Sequence, residues 1–219
     1  MSRDLINAAQ RLPHTVFKTG LGKYGTEIEV INAAVIWPDF SGKEKEFVQN
    51  GRKIKVPAGS RRSFNLVVNE ETANVLEQLG VVRGKGLKER PVDPMDESAG
   101  SVWFVNVKVR MEPELARPAE VELVVGDVNP DGTINVSSMN PLNLTTVGTV
   151  DMSFSRGEVV NFDCLINVSR PQDPTKSASI YLKKAYVTIQ PVVEFDGRYI
   201  VDPNDEATID DIENGALPR

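Results

Sequence analysis

Ser101-Val102-Trp103-Phe104-Val105-Asn106-Val107-Lys108-Val109-Arg110-Met111 is the stretch whose reading decides the fold. Trp103, Val105, Val107 and Val109 fall on one side of a two-residue repeat, and Phe104, Asn106, Lys108 and Arg110 on the other. Successive side chains of a strand point to opposite faces, so this is a β-strand with an apolar face and a basic, partly aromatic one. Around it, residues 26–37, Arg62 to Asn69, Glu120 to Val125, Val147 to Phe154, Val159 to Val168 and Ser179 to Val192 read as further strands. That makes about seven strands by periodicity.

Glu70 to Gly80 reads as the one convincing helix: Glu71 and Thr72 open it, Ala73, Val75, Leu76 and Leu79 share a side, and Gly80 suits its C-terminus. A short helix is allowed from Leu5 to Leu12, stopped by Pro13. Residues 41–60 read as a Lys-, Gly- and Arg-rich loop or ribbon, residues 83–100 as a flexible stretch, and residues 126–142 as a turn at Asn129-Pro130-Asp131-Gly132 leading into a loop. No parallel βαβ alternation is visible. The expected fold class is therefore mainly all-β: an OB-fold-like antiparallel β-barrel with one short helix and long inserted loops. The expected organisation is a flexible arm over 1–25, a barrel domain over 26–200 and a disordered acidic tail over 201–219.

The 219 residues carry 31 acidic and 25 basic side chains, a net charge of −6. Six of those acids, Asp202, Asp205, Glu206, Asp210, Asp211 and Glu213, lie in the tail with only Arg219 against them. The rest of the chain is near neutral, and local field rather than total charge steers a polyanion. No long apolar run follows Arg3, and no stretch matches a membrane span, so neither a signal peptide nor a membrane partner is expected. One cysteine, Cys164, rules out an internal disulfide and permits a reducing cytoplasm.

Catalytic constellations are missing. His14 is the single histidine, so a His/Cys zinc set cannot be assembled with Cys164. Gly20-Leu21-Gly22-Lys23-Tyr24-Gly25 has the GxGxxG spacing but lies between an arm and a strand, not between a strand and a helix. It reads as a glycine hinge, and Gly84-Lys85-Gly86 as a mobile basic loop. Asp93, Asp96 and Glu97 share one loop without metal-site spacing. Neither enzymatic activity nor a cofactor or metal is expected.

What remains is aromatics interleaved with bases, as single-strand binding needs: rings stack on bases while Lys and Arg track phosphates. The candidate phosphate contacts are Lys43, Arg52, Arg61, Arg62, Lys108, Arg110, Lys183 and Lys184, and the candidate stacking platforms Trp37, Phe40, Phe64, Phe104 and Tyr181. Arg62 and Phe64 share a strand face, as do Ser179, Tyr181 and Lys183, with Lys184 and Tyr186 opposite.

Ordered landmarks make the chain resemble the phage single-stranded-DNA-binding proteins of OB-fold type. They are Ile31 to Trp37 with Asp39-Phe40-Ser41-Gly42; Arg62 to Val68; the helix from Ala73 to Gly80; Phe104 to Val109; Pro118, Val121 and Leu123; and Ile180 to Lys183 with Ala185 to Val187. The resemblance implies an OB barrel that coats single-stranded DNA in phage replication, recombination or repair, in the host-cell cytoplasm. It also implies an acidic tail that contacts phage or host replication and recombination proteins, and it allows a homo-oligomer. Family tails often end in an aromatic residue, whereas this chain ends Ala216-Leu217-Pro218-Arg219. The alternative is a β-rich virion structural or assembly accessory protein.

Overall fold

A computed structural model describes residues 3–12, 16–22, 25–59, 61–112, 117–131, 133–169 and 175–190, together with 115, 171 and 173. These residues form twelve strands and three helices. In chain order they are α1 (Arg3–Arg11), β1 (Val16–Gly22), β2 (Gly25–Ile31), β3 (Val35–Asp39), β4 (Lys45–Gln49), β5 (Arg52–Val56), β6 (Arg62–Val68), α2 (Glu70–Gln78), β7 (Leu87–Pro91), β8 (Ser101–Val109), β9 (Glu120–Val128), β10 (Ile134–Pro141), α3 (Val147–Arg156), β11 (Val159–Ser169) and β12 (Ser179–Ile189).

Ten strands make one sheet in the order β1-β2-β11-β12-β8-β6-β3, with β7 added beside β8, β9 beside β12, and β10 beside β9. The sheet is mixed, not purely antiparallel: β12 runs parallel to β8 at Ile180 and Tyr181 and parallel to β9 from Lys184 to Ile189. Among the described residues no ladder returns β3 to β1, so the sheet does not close into a barrel. It is nonetheless curled. From β11 to β6 is three ladder steps, about 14 Å in a flat sheet. Yet the rings of Phe162 on β11 and Phe64 on β6 have centroids 5.2 Å apart.

The chain between β2 and β3 enforces this curl. β2 pairs with β11 and β3 with β6, and the two strands are separated only by Asn32, Ala33 and Ala34. Ala33 N–H donates to the Phe162 carbonyl at 2.7 Å, and Val67 N–H donates to the Ala34 carbonyl at 2.9 Å. One bent segment thus borders both ends of the four-strand run β11-β12-β8-β6. The expected mainly all-β class is therefore observed, as one large, curled, mixed sheet in place of a closed antiparallel barrel. Its interior is filled by Ile28, Val30, Leu66, Val105, Val107, Ile166, Ile180 and Val187 around Phe40, Phe64 and Phe162.

Helix α3 corrects one expectation, since Val147 to Phe154 reads as a strand in sequence. Val147, Val150 and Phe154 recur at i, i+3 and i+7, the helical period, and the β-branched residues between them disguise it. The helix brings the buried Asp151 to the corner that ends β3. Its carboxylate accepts from Phe40 N–H at 2.8 Å, Ser41 N–H at 3.0 Å and the Ser41 hydroxyl at 2.5 Å. Gly42 follows at φ +63°, where a Cβ would lie 2.9 Å from the Gly59 Cα.

Other stretches are also more ordered than their composition predicts. The expected arm carries α1 and β1. Leu5, Ala8, Ala9 and Leu12 form a helical stripe that covers Ala34, Ile36, Val67 and Val102 on the outer side of the sheet. Strand β1 pairs along β2, so the glycine-rich motif is a hairpin, with Gly22 opposite Gly25. The 41–60 segment is a two-stranded ribbon, β4 with β5, turned at Asn50 (φ 52°) and Gly51 (φ 74°). The expected loop before Pro141 is β10. The tail over 201–219 lies outside the described residues.

Asp151→Ala removes the acceptor for two main-chain N–H groups and is expected to cost about 2–4 kcal/mol. For a domain of this size that lowers Tm by roughly 5–15 °C. A calorimetric melt checks it, and a shift under about 2 °C would remove the corner from the account.

Candidate nucleic-acid interface

Parity along β8 turns Val105, Val107 and Val109 inward and Asn106 and Lys108 outward. The ladders then assemble a face from neighbouring strands. Asn65 lies opposite Asn106 and Ser63 opposite Lys108 on β6, Tyr181 lies beside Lys108 on β12, and Lys88 lies beside Phe104 on β7. Two concavities of about 440 and 580 Å³ share Asn106 and Lys108 and join into one groove across these strands. The groove is lined by six cations, Arg61, Arg62, Lys85, Lys88, Lys108 and Arg110, and one acid, Glu112.

The cations differ in how far they are already committed. Lys108 Nζ donates to Ser179 Oγ at 3.1 Å and lies 5.4 Å from the Tyr181 ring centre. The Arg110 guanidinium lies 4.8 Å from the same ring. Such contacts contribute about 0.5–1 kcal/mol at exposed sites and keep both charges over the groove. Among the described residues, Lys85, Lys88, Lys108 and Arg110 form no ion pair with an acid. Lys183 by contrast pairs with Glu27, and Lys184 with Glu122 at 3.0 Å and Glu120 at 3.6 Å. The Tyr186 hydroxyl and Glu122 push the Lys184 ammonium above its ordinary pKa. The face is therefore polarised, with cations that form no ion pair over β7 and β8 and acids over β2 and β9.

Trp37 borders this face through Phe104 and itself lines a separate hollow with Asn7, Ala8 and Arg11 of α1. It is 42% exposed, and its ring meets the Phe104 ring edge-on at 5.5 Å. Its backbone has φ +47°, and Pro38 follows it. A bulky residue rarely adopts that region, at a cost of order 1–3 kcal/mol, and such strain concentrates at functional sites. Trp103, the other tryptophan, is held differently: its indole N–H donates to Glu70, and Arg83 lies 4.3 Å over its ring. The Arg83 guanidinium, then the Trp103 indole, hold the Glu70 carboxyl below its usual range.

Several expected site residues are placed elsewhere. Phe40 and Phe64 are fully buried, with centroids 5.6 Å apart in the core, and cannot stack on a ligand. Arg62 does share the Phe64 face, but that face is the inner one. The arginine lies at the open end of the core, where it donates to Glu112 at 2.6 Å and to the Gly59 carbonyl at 2.8 Å. A charge at a strand terminus says little about the strand's face. Phe104 is on the outer face but covered by Trp37 and by Arg90, whose guanidinium lies 5.9 Å from the ring centre. On β12 a bulge at Lys183 shifts the register, so Lys184 and Tyr186 return to the face of Ser179 and Tyr181 instead of opposing it. Lys43 and Arg52 are exposed, in and beside the ribbon, and Arg61 is exposed at the groove. His14 and all six tail acids lie outside the described residues.

The sequence reading omits Asn65, Lys85 and Lys88 from the site. Lys85 sits in a turn closed by the Gly84 N–H to the Leu87 carbonyl at 2.7 Å, not in a mobile loop. Only Leu87 of this short strand is buried and the four residues after it are exposed, so no alternation marks it in the sequence. Asp93 and Asp96 accept from their own loop, at Met95 N–H and Ser98 N–H, and gather no third ligand among the described residues. Cys164 is buried, and that burial raises its thiol pKa. No helix among the described residues is long and apolar enough to cross a membrane. No known protein-family model and no curated protein matches the chain.

Trp37→Asn trades an edge contact worth about 0.5–1.5 kcal/mol for release of backbone strain of similar size. Its unfolding free energy in urea is expected to stay within about 1.5 kcal/mol of the natural chain. Phe104→Ala, under the same titration, is expected to lose about 3–5 kcal/mol. Equal losses for the two would place Trp37 in the core.

Proposed function

We propose that the chain binds single-stranded DNA without reading its sequence, coating and protecting it during phage DNA replication, recombination or repair. The observation that carries this reading is the groove over β6, β7, β8 and β12, with six cations against one acid and Trp37 exposed beside it against the Phe104 ring. Phosphates pair with Lys85, Lys88, Lys108, Arg110 and Arg61. Bases stack on Trp37, and on Tyr181 once a phosphate draws Lys108 or Arg110 off its ring, at about 1–3 kcal/mol per base. Asn65, Asn106 and Ser179 offer hydrogen bonds to whichever base edge or sugar passes. Binding is an equilibrium in which no covalent bond changes.

The acids of 202–213 act as an interaction tail that competes for the groove and recruits replication or recombination partners. The resemblance to phage single-stranded-DNA-binding proteins supports the same reading. A virion subunit interface would have an apolar centre poor in lysine. The centre of this face is Lys108 between Asn106 and Arg110.

Replacing Lys108 and Arg110 together by Ala is expected to weaken binding to a labelled oligo-dT. The slope of log K against log salt should shrink by about 1.4, that is 0.7 for each of two lost phosphate contacts. Lys183→Ala with Lys184→Ala should change the slope far less, because acids already neutralise both. Equal slopes for the natural chain and the Lys108/Arg110 variant would take β8 out of the site.

Removing residues 202–219 is expected to tighten binding several-fold in the same titration, most at low salt where screening is weakest. Equal or weaker affinity in the truncated chain would contradict tail competition.

A further inference from the structure

Strand β10 reads Ile134-Asn135-Val136-Ser137-Ser138-Met139-Asn140-Pro141, and it is the one strand of the twelve without a charged side chain. It lies within a run of 19 residues, 132–150, that holds no Asp, Glu, Lys or Arg in a chain where 26% of residues are charged. Among the described residues its strand partner is β9 alone, so its other side is a sheet edge. Edges expose unpaired N–H and C=O groups and are ordinarily guarded by charge or proline. Strand β7, beside β8, follows that rule with Lys88, Glu89, Arg90 and Pro91, whereas β10 has no charge and its one proline, Pro141, stands at its end.

A bulge at Ser137 sorts the side chains of this edge. The register places Ile134, Val136, Met139 and Pro141 across from Val128, Gly126, Val124 and Glu122, all on one face of β9. Without the bulge, Val136 and Met139 would face opposite ways. Both are more than half exposed, at 52% and 54%.

We infer that β10 is a self-association edge whose occupant is β10 of a second copy of this chain, paired antiparallel about a two-fold axis between Ser137 and Ser138. Two observations select a second copy. Centred there, the strand is complementary to itself: Val136 faces the other copy's Met139, Ile134 its Pro141 and Asn135 its Asn140. The bulge is what puts Val136 and Met139 on the same side, as direct opposition requires. A chain with net charge −6 also repels its own copies, and this uncharged run is where two can meet without opposing like charges. Pairing would join two ten-stranded sheets into one. The inference does not rest on what the groove binds.

Sedimentation velocity of the full chain over a concentration series tests it. The natural chain is expected to sediment as a dimer at the upper concentrations. Val136→Lys with Met139→Lys sets like charges opposite each other twice and should raise the dimer dissociation constant roughly tenfold or more. Val136→Lys with Met139→Glu sets opposite charges in the same places and should restore the dimer. Ser137→Cys, beside the axis, should give an intermolecular disulfide under mild oxidation, independent of any effect of charge on folding. A natural chain that stays monomeric throughout, a dimer indifferent to the double-lysine change, or no disulfide from Ser137→Cys would each overturn the inference.

Discussion

One bent stretch of chain, residues 25–39, holds this molecule in shape by belonging to two places at once. As β2 it hydrogen-bonds to β11, and as β3 it hydrogen-bonds to β6. A flat sheet would keep those two strands about 14 Å apart. The join therefore curls the sheet and forces the rings of Phe40, Phe64 and Phe162 together inside it. The Asp151 carboxylate fixes the far end of the stretch by receiving the main-chain N–H groups of Phe40 and Ser41, and so ties the bend to α3.

The same curl decides where a ligand can lie. The inner face is spent on the core, so chemistry is left to the outer face, and α1 covers part of that through Leu5 and Ala8. The remainder holds the groove, with Trp37 beside it against the Phe104 ring. Its charge pattern follows from strand order. Strands β7 and β8 and the residues that flank them contribute bases without an acid partner, while β2 and β9 contribute the acids that satisfy Lys183 and Lys184. An outer face with a basic half and a neutralised half results from the ladder register, which no single strand specifies.

The legible parts of the sequence were those governed by short-range period. The β8 alternation, the α2 stripe and the β-rich class follow from spacing alone, and Lys108, Arg110 and Tyr181 come together as their faces predict. Features set by partners far along the chain were not legible. Whether the face of Arg62 and Phe64 is inner or outer depends on Glu112 and on the curl. The Lys183 bulge, which turns Lys184 and Tyr186 over, depends on the register with β11. Helix α3 reads as a strand because its β-branched residues, Val147, Thr149 and Val150, favour strands locally. Lys85 is hidden because glycine on both sides of a lysine reads as a loop whether or not a turn closes it, and Lys88 because a strand with one buried residue shows no period.

The central claim is that this outer face prefers an unpaired strand, whose bases are free to stack, over a duplex, whose bases are not. Fluorescence polarisation with labelled oligo-dT and with duplex of equal length, at low and moderate salt, tests that claim directly. The account predicts tighter binding to the single strand at both salts, with affinity falling as salt rises. Duplex binding as tight as single-strand binding, or no binding to either at low salt with the tail removed, would contradict it.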